Sequence, residues 1–374
     1  MNEFWCPLPW IHQFIEPTGI KTCCQGKTKL SLSPLEFSRS AFVNDVKTHL
    51  INNQVHDNCQ NCHKIEQQGF DSTRLEAVRD YPLITKNHVE NKVEYLDLRY
   101  SNLCNFSCRT CEPAFSSSIV KELEQQPALH KWYAKAEKIN QYDKIIDDLN
   151  TILPTIKKIN FTGGEPLLIK ENLIILNKLE ELKLFDCEIL ITTNASAIDL
   201  KWLKVLQKFN SVHWTISIDA TEKWAEYIRY GTVWPNLIKN IKSIMALGHS
   251  VAVNTTVSAY SVLDIDCTVE YFLNLKQYSS GPFEHWFHLC TWPARLSPAV
   301  LKNDLAHIAR QKLIRAVQLL DADKSNPSHS IETLKNTINL LSTASDELTD
   351  DFFKFTEQLD TLRGQNFETL LSNP

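Results

Sequence analysis

Three cysteines, Cys104, Cys108 and Cys111, do most to constrain what this chain can fold into. They read C-N-F-S-C-R-T-C and follow directly on a strand-like segment, Val93–Tyr100. Thiolates this close together suit three corners of a 4Fe–4S cluster, for which cysteine is the usual ligand. No fourth cysteine stands nearby, so one iron would stay open to a substrate or cofactor. Zinc is the alternative, but a structural zinc takes a fourth Cys or His at close spacing. None follows Cys111 until His130.

The cysteine run, followed by Gly163-Gly164-Glu165-Pro166, resembles the radical S-adenosylmethionine (SAM) superfamily from about Tyr95 to Pro293. The resemblance implies that Cys104, Cys108 and Cys111 bind the catalytic cluster and that its open iron chelates the amino and carboxylate groups of SAM. Reductive cleavage then gives methionine and a 5′-deoxyadenosyl radical. An electron donor such as flavodoxin or ferredoxin is implied as a partner. Thr110 departs from the commonest pattern, which has an aromatic residue near adenine.

A second cysteine group, Cys6, Cys23, Cys24, Cys59 and Cys62, precedes the first. Cys59 and Cys62 make a C-x2-C pair, the bite of two ligands on one metal centre. Cys6 lies in W-C-P-L-P-W, and Gly19 precedes Cys24 by a G-x4-C spacing. The group resembles the SPASM or twitch auxiliary module of radical SAM peptide maturases, lying here on the N-terminal side of the barrel. Glu66, Gly69, Ser72 and Arg74 share that resemblance. It implies an auxiliary 4Fe–4S cluster on Cys6, Cys24, Cys59 and Cys62, with Cys23 the rival for the second position. Four cysteines with one C-x2-C also suit zinc.

Composition narrows the setting. A chain of 374 residues can bury a real core in one large or two modest domains. A net charge of −5 gives no footprint for nucleic acid. No apolar run is long enough to span a bilayer, and Met1–Pro7 does not read as a signal peptide. Eleven cysteines without a secretion signal favour metal ligation over disulfides, in a reducing cytoplasm.

After Tyr100 the chain alternates strand-like and helix-like stretches, the pattern of parallel β/α units. Expected strands are Val93–Tyr100, Lys157–Phe161, Glu188–Thr193, Val212–Ile218, Val251–Val257 and Phe283–Cys290. Ser116–Gln126 and Trp132–Leu153 read as helices between them. The expected fold is α/β: a partial (β/α)6 TIM-like barrel over 90–295, a small cysteine-rich cluster module over 1–85, and a helical C-terminal region over 296–374. That last region reads as Pro298–Leu320, Ile331–Thr343 and Glu347–Leu362, with a loop at Ser325–Ser330.

Chemistry in such barrels gathers at the C-terminal ends of the strands. Gly163 and Gly164 let backbone groups approach a ligand closely, and Glu165 can accept a hydrogen bond from an ammonium. By the resemblance, Gly163–Pro166 contacts the methionyl amino group of SAM. Asn194, Ser217 and Asp219 would help hold its ribose and methionyl parts, although these residue types also favour helix N-caps. Arg229 matches a position whose planar fork pairs with the SAM carboxylate. Cys187, Cys267 and Cys290 read as buried thiols. Cys290, beside Trp292-Pro293, is also a candidate hydrogen donor.

The auxiliary module implies hydrogen abstraction from a peptide, as in maturation of a ribosomally made precursor. Crosslinking or backbone excision ranks ahead of epimerisation, because an auxiliary cluster offers a route for the electron left after abstraction. No small leader-binding domain precedes Cys6, which makes a leader-binding partner protein plausible, docked on the helical tail. The alternative is a small metabolite, nucleoside or RNA, with the acidic pI counting against RNA.

Overall fold

The computed structural model describes residues 4–67, 71–87, 90–134, 145–323 and 328–372. Gly69, the middle of the helix expected over Trp132–Leu153 and part of the Ser325–Ser330 loop lie outside the described residues. Ten strands occur in the described chain: β1 His12–Glu16, β2 Gly19–Lys21, β3 Tyr95–Leu98, β4 Ser107–Cys108, β5 Lys158–Phe161, β6 Glu188–Thr193, β7 Ser211–Ser217, β8 Arg229–Tyr230, β9 Ser250–Val257 and β10 Phe283–Leu289. The chain divides into two compact units. The first is Met1–Asn102, Lys138–Ile191 and Lys204–Val212; the second is Leu103–Glu137, Thr192–Leu203 and His213–Pro374.

In the first unit β3 runs parallel to β5, and β5 to β6, as the β/α alternation predicts. The front segment adds strands of its own. β1 runs parallel to β3, with His12 opposite Tyr95 and Phe14 opposite Asp97, and β2 closes on β1 as an antiparallel hairpin. Trp5, Leu8, Trp10 and Ile11 pack with Val46 and Leu50 of the helix Ala41–Ile51 into a small core of their own.

In the second unit β7, β9 and β10 are parallel. β7 (SVHWTIS) shows why: Val212, Trp214 and Ile216 are buried, while the residues between them are half-exposed. That period of two is the mark of a strand with one face on a core. The amphipathic helix Trp234–Met245 buries Leu237, Ile238, Ile241 and Ile244.

The helical C-terminal region is present as Asn303–Ala322, Ser328–Leu340, Asp346–Arg363 and Phe367–Ser372. Ser345 caps the third of these by accepting from Leu348 N, and Gly364, at φ 62°, ends it in the left-handed conformation glycine adopts freely. Phe352, Phe355, Leu359 and Phe367 share one core with Tyr227, Val257 and Tyr260. Two expected helices are shorter than the pattern suggested. Pro298–Val300 is a separate turn before Asn303. The described parts of Trp132–Leu153 are the end of a turn over Pro127–Trp132 and a short helix Ile145–Leu149, followed by a turn at Leu153–Thr155. Pro154 lacks the N–H a longer helix would need.

Candidate active site

Cys104, Cys108 and Cys111 lie in the second unit on a loop pinned at nearly every residue. Ser107–Cys108 forms a two-residue antiparallel ladder with β8, placing Cys108 opposite Arg229. Arg109 N donates to Ile228 O at 2.8 Å, and Cys111 N to Cys108 O at 3.1 Å. Cys104 N donates to Ser117 Oγ at 3.2 Å, and Ser118 Oγ to Cys104 O at 2.8 Å. Gly231 has φ 111°, and a Cβ there would stand 2.9 Å from Asn105 O, so the close approach of this segment to the loop requires glycine.

Burial sets the electrostatics. It pushes the Cys108 thiol up to about 11, with Arg229 opposing the shift. It also pushes Cys111 well up, reinforced by Cys108 and Cys104. As free thiols these groups keep their protons at neutral pH, and a metal centre would replace those protons. Burial works against the charge on Arg229, but Asp219, and Cys108 wherever it is a thiolate, outweigh it and hold the guanidinium firmly protonated.

Arg229 Nη1 donates to Asp219 Oδ2 at 3.1 Å, while Asp219 Oδ1 accepts from Thr256 N at 2.9 Å. Both oxygens of Asp219 are thus occupied by the protein, and Arg229 Nε is buried without a partner. An unpaired guanidinium N–H beside three cysteines fits a carboxylate-bearing ligand, because buried donors demand acceptors. Asn194 turns toward the loop itself: its Nδ2 donates to Asn105 Oδ1 at 3.1 Å, and its Oδ1 accepts from Ser196 N at 2.9 Å. Ser217 is half-exposed at the end of β7, opposite Asn254. Cys290 is buried in the apolar core, with Sγ 3.6 Å from Trp292 O. Burial lifts its thiol to about 12, and Asp219 adds to the shift.

Sequence reasoning missed Arg109, which sits between the last two cysteines. It is fully buried. Its guanidinium lies 3.7 Å from the Tyr227 ring centroid, Nε donates to Tyr227 O at 3.1 Å, and Nη2 donates to Gln365 Oε1 at 2.9 Å and to Asp360. Asp360 also accepts from Tyr227 OH at 2.8 Å and from Phe367 N at 2.7 Å. The cysteine loop is therefore clamped by the helix Asp346–Arg363. The available signal was an arginine inside a cysteine motif with no apolar role to play.

Gly163–Pro166 lies in the first unit, at the end of β5. Gly163 has φ 119°, and a Cβ there would stand 2.8 Å from Ser101 O. Gly164 N donates to that same oxygen at 3.1 Å. Glu165 is fully buried and accepts from Leu167 N at 3.2 Å. Pro166 O accepts from Asn172 Nδ2, and Asn172 in turn accepts from Tyr100 OH at 2.6 Å.

The front cysteines also gather in the first unit. Cys6, Cys23, Cys59 and Cys62 line one small cavity of about 20 Å³, whereas Cys24 lines its neighbour with His12 and Asp97. Between the two positions left open by the sequence, the side chain facing Cys6, Cys59 and Cys62 is that of Cys23. Burial lifts Cys23 to about 12 and Cys59 to about 11, with neighbouring thiols adding to both. A space of this size suits a single ion, and the set would have to open for a four-iron cluster. Glu66, Ser72 and Arg74 form the supporting network: Arg74 Nε donates to Glu66 Oε1 at 2.9 Å, and Nη1 donates to Trp5 O at 3.0 Å, next to Cys6.

Residues 98–262 match the family model described as the Radical SAM superfamily. A curated relative is the radical SAM cyclopropyl synthase TigE of Paramaledivibacter caminithermalis, 28% identical over 54% of this chain and 42% of that protein. Another is the GTP 3′,8-cyclase of Campylobacter fetus subsp. fetus, 30% identical over 44% of this chain and 46% of that protein. The chain thus spans under half the length of either relative. Among solved structures, Streptococcus suis SuiB bound to precursor peptide SuiA aligns with 92% of this chain and 77% of that chain, at 17% identity and a TM-score of 0.40.

Proposed function

We infer that this chain, through its radical SAM domain, reductively cleaves S-adenosylmethionine and abstracts hydrogen from a peptide, modifying a precursor by crosslinking or backbone excision. The observation that carries the SAM half is the clamped cysteine loop beside Arg229, whose buried Nε has no partner. In this reading Cys104, Cys108 and Cys111 hold a 4Fe–4S cluster, which supplies the electron. Arg229 holds the SAM carboxylate, and Asp219 acts through Arg229 rather than on the ligand. Gly163, Gly164, Glu165 and Pro166 offer backbone and carboxylate acceptors to the amino group. Asn194 positions the loop through Asn105, and Ser217 offers a hydroxyl at the strand end.

The peptide half rests on the front cysteine set and its resemblance to the auxiliary modules of peptide maturases. Cys6, Cys23, Cys59 and Cys62 would carry an auxiliary metal centre, either a 4Fe–4S cluster or a zinc ion. A second reading, a nucleotide or nucleoside substrate, is favoured by the similarity to GTP 3′,8-cyclases.

Anaerobic reconstitution tests both halves. About eight irons per chain would mean two four-iron clusters, and about four irons with one zinc would assign the front set to zinc. Formation of 5′-deoxyadenosine on adding SAM and dithionite is the expected outcome. Mass changes in peptide pools but not nucleotide pools support the peptide reading; the reverse pattern replaces it.

A further inference from the structure

The first unit holds a second cavity, of about 140 Å³, which the SAM chemistry does not use. It lies between the Cys23–Cys24 turn, the helix Thr73–Asp80 and one face of β1, β3 and β5. Strand register brings the residues together: His12, Tyr95 and Lys158 form one row across that face, and Asp97 and Asn160 stand in the next.

The acceptors in and beside this cavity are short of donors. His12 is 5% exposed, and its Nδ1 lies 3.0 Å from Thr22 O. A carbonyl only accepts, so Nδ1 carries the proton and Nε2 presents a lone pair. That Nε2 is buried with no partner. Asp97, 9% exposed, receives only long contacts: 3.3 Å from Asn160 Nδ2 and 3.5 Å from Thr162 Oγ1. Asn160 Oδ1 is buried and unpartnered beside it. Unsatisfied buried acceptors are rare in folded proteins and call for a donor.

Charge points the same way. Glu76 and Asp80 line the same cavity. Two cations stand against them: Arg99 acts on Asp97, and Lys158, which lines the cavity with its Nζ 5.3 Å from the Tyr95 ring centroid, is paired with Glu188 at 3.2 Å. The volume leaves room for an organic group, since a cavity of about 150 Å³ takes a molecule as large as benzene. Among the described residues, the group whose ligand atoms are drawn together for a metal is Asp45, His49 and His56, away from this cavity. There His56 Nδ1 accepts from Asn58 N at 3.0 Å, which leaves the proton on Nε2, the atom facing Asp45.

We propose that this cavity binds the alkylammonium end of a lysine side chain of the substrate, with His12 Nε2 and Asp97 as its acceptors. The occupant has only donors at its tip and a four-carbon stem that lies along Tyr95. The proposal rests on the peptide reading and names the feature of the peptide that this unit would select.

The test uses the full chain with n-butylammonium and n-butanol as probes, followed by saturation-transfer NMR. Butylammonium should bind, and butanol should not. Asp97→Asn should weaken butylammonium by about tenfold, the loss of one charge-assisted contact. Glu76→Gln, at the exposed rim, should weaken it less and serves if Asp97→Asn does not fold. Equal binding of the two probes, or binding of neither, overturns the site. A second arm separates the two levels of inference. If a peptide pool is modified equally whether its lysines are free or acetylated, the lysine site fails and the peptide reading survives. If butylammonium binds in an Asp97-dependent way but no peptide is modified, the site stands and the peptide reading fails.

Discussion

The two cysteine groups solve one problem in opposite ways. Cys104, Cys108 and Cys111 are local in sequence, and the protein immobilises them with its own bonds: the ladder to Arg229, the serines at 116–118, and the clamp of Arg109 on Asp360. Cys6, Cys23, Cys59 and Cys62 come from three separate segments, and burial lifts their thiols, opposed at Cys62 by Arg74 and Ser72. The first set is shaped before any metal arrives. The second would gain its cross-link from a bound metal, and metal binding there would be folding energy. In the proposed reading, pre-organisation falls where the chemistry occurs and metal-dependent closure where segments must be tied together.

The largest effect should come from Cys104→Ala. SAM cleavage should fall to background while metal bound by the front set persists, as read by 5′-deoxyadenosine and metal analysis of one preparation. Loss of both metals together would mean that the two groups do not form independently. Next, Asp360→Ala strands Arg109 without its carboxylate. Breaking a buried ion pair from one side costs roughly 3–5 kcal/mol, measurable by denaturant unfolding, and Asp360→Asn should cost less. If Asp360→Ala is as stable as the parent, the clamp is not what holds the loop.

Cys23→Ser and Cys24→Ser sharpen the comparison from the other side. The first should lose the front metal and lower the melting temperature; the second should retain the metal. The opposite pattern would return Cys24 to the ligand set.

A further effect, confined to acid pH, comes from a buried histidine. Burial lowers His285 from 6.5 to about 3 in the folded chain, and its Nε2 bonds Thr255 Oγ1 at 2.9 Å. The unfolded chain takes up the proton first, so this contribution is complete above pH 6.5 and is lost as pH falls toward 3. The slope is at most about 1.4 kcal/mol per pH unit. His285→Gln should flatten the acid limb of stability against pH; an unchanged limb would assign it to other groups.

Local patterns were legible in the sequence. Period-two alternation in VHWTIS and the run of β/α pairs marked the strands, and cysteine spacing singled out the loop that the ladder to Arg229 and the Arg109 clamp hold. Long-range pairings were not. β1 is five residues inside a segment that reads as a metal module, and its partnership with β3 spans most of the first hundred residues. Cys23 and Cys24 could not be separated because they are adjacent in a turn, and only the fold decides which side chain faces the other thiols. The sequence offers Asp219 as a ligand contact, but not that its oxygens accept from Arg229 Nη1 and Thr256 N.

The clamp also has a consequence in time. Arg109 and Asp360 are 251 residues apart in sequence. A ribosome makes roughly 5–20 residues each second, so for many seconds the radical loop exists without the carboxylate that receives its arginine. Completion of the loop therefore waits on the last part of the described chain. Stalled nascent chains ending before residue 346 should leave the loop open to protease, and chains extended past residue 367 should protect it. The order of synthesis would then act as a safeguard, delaying the proposed radical centre until the helix that clamps its loop has been made.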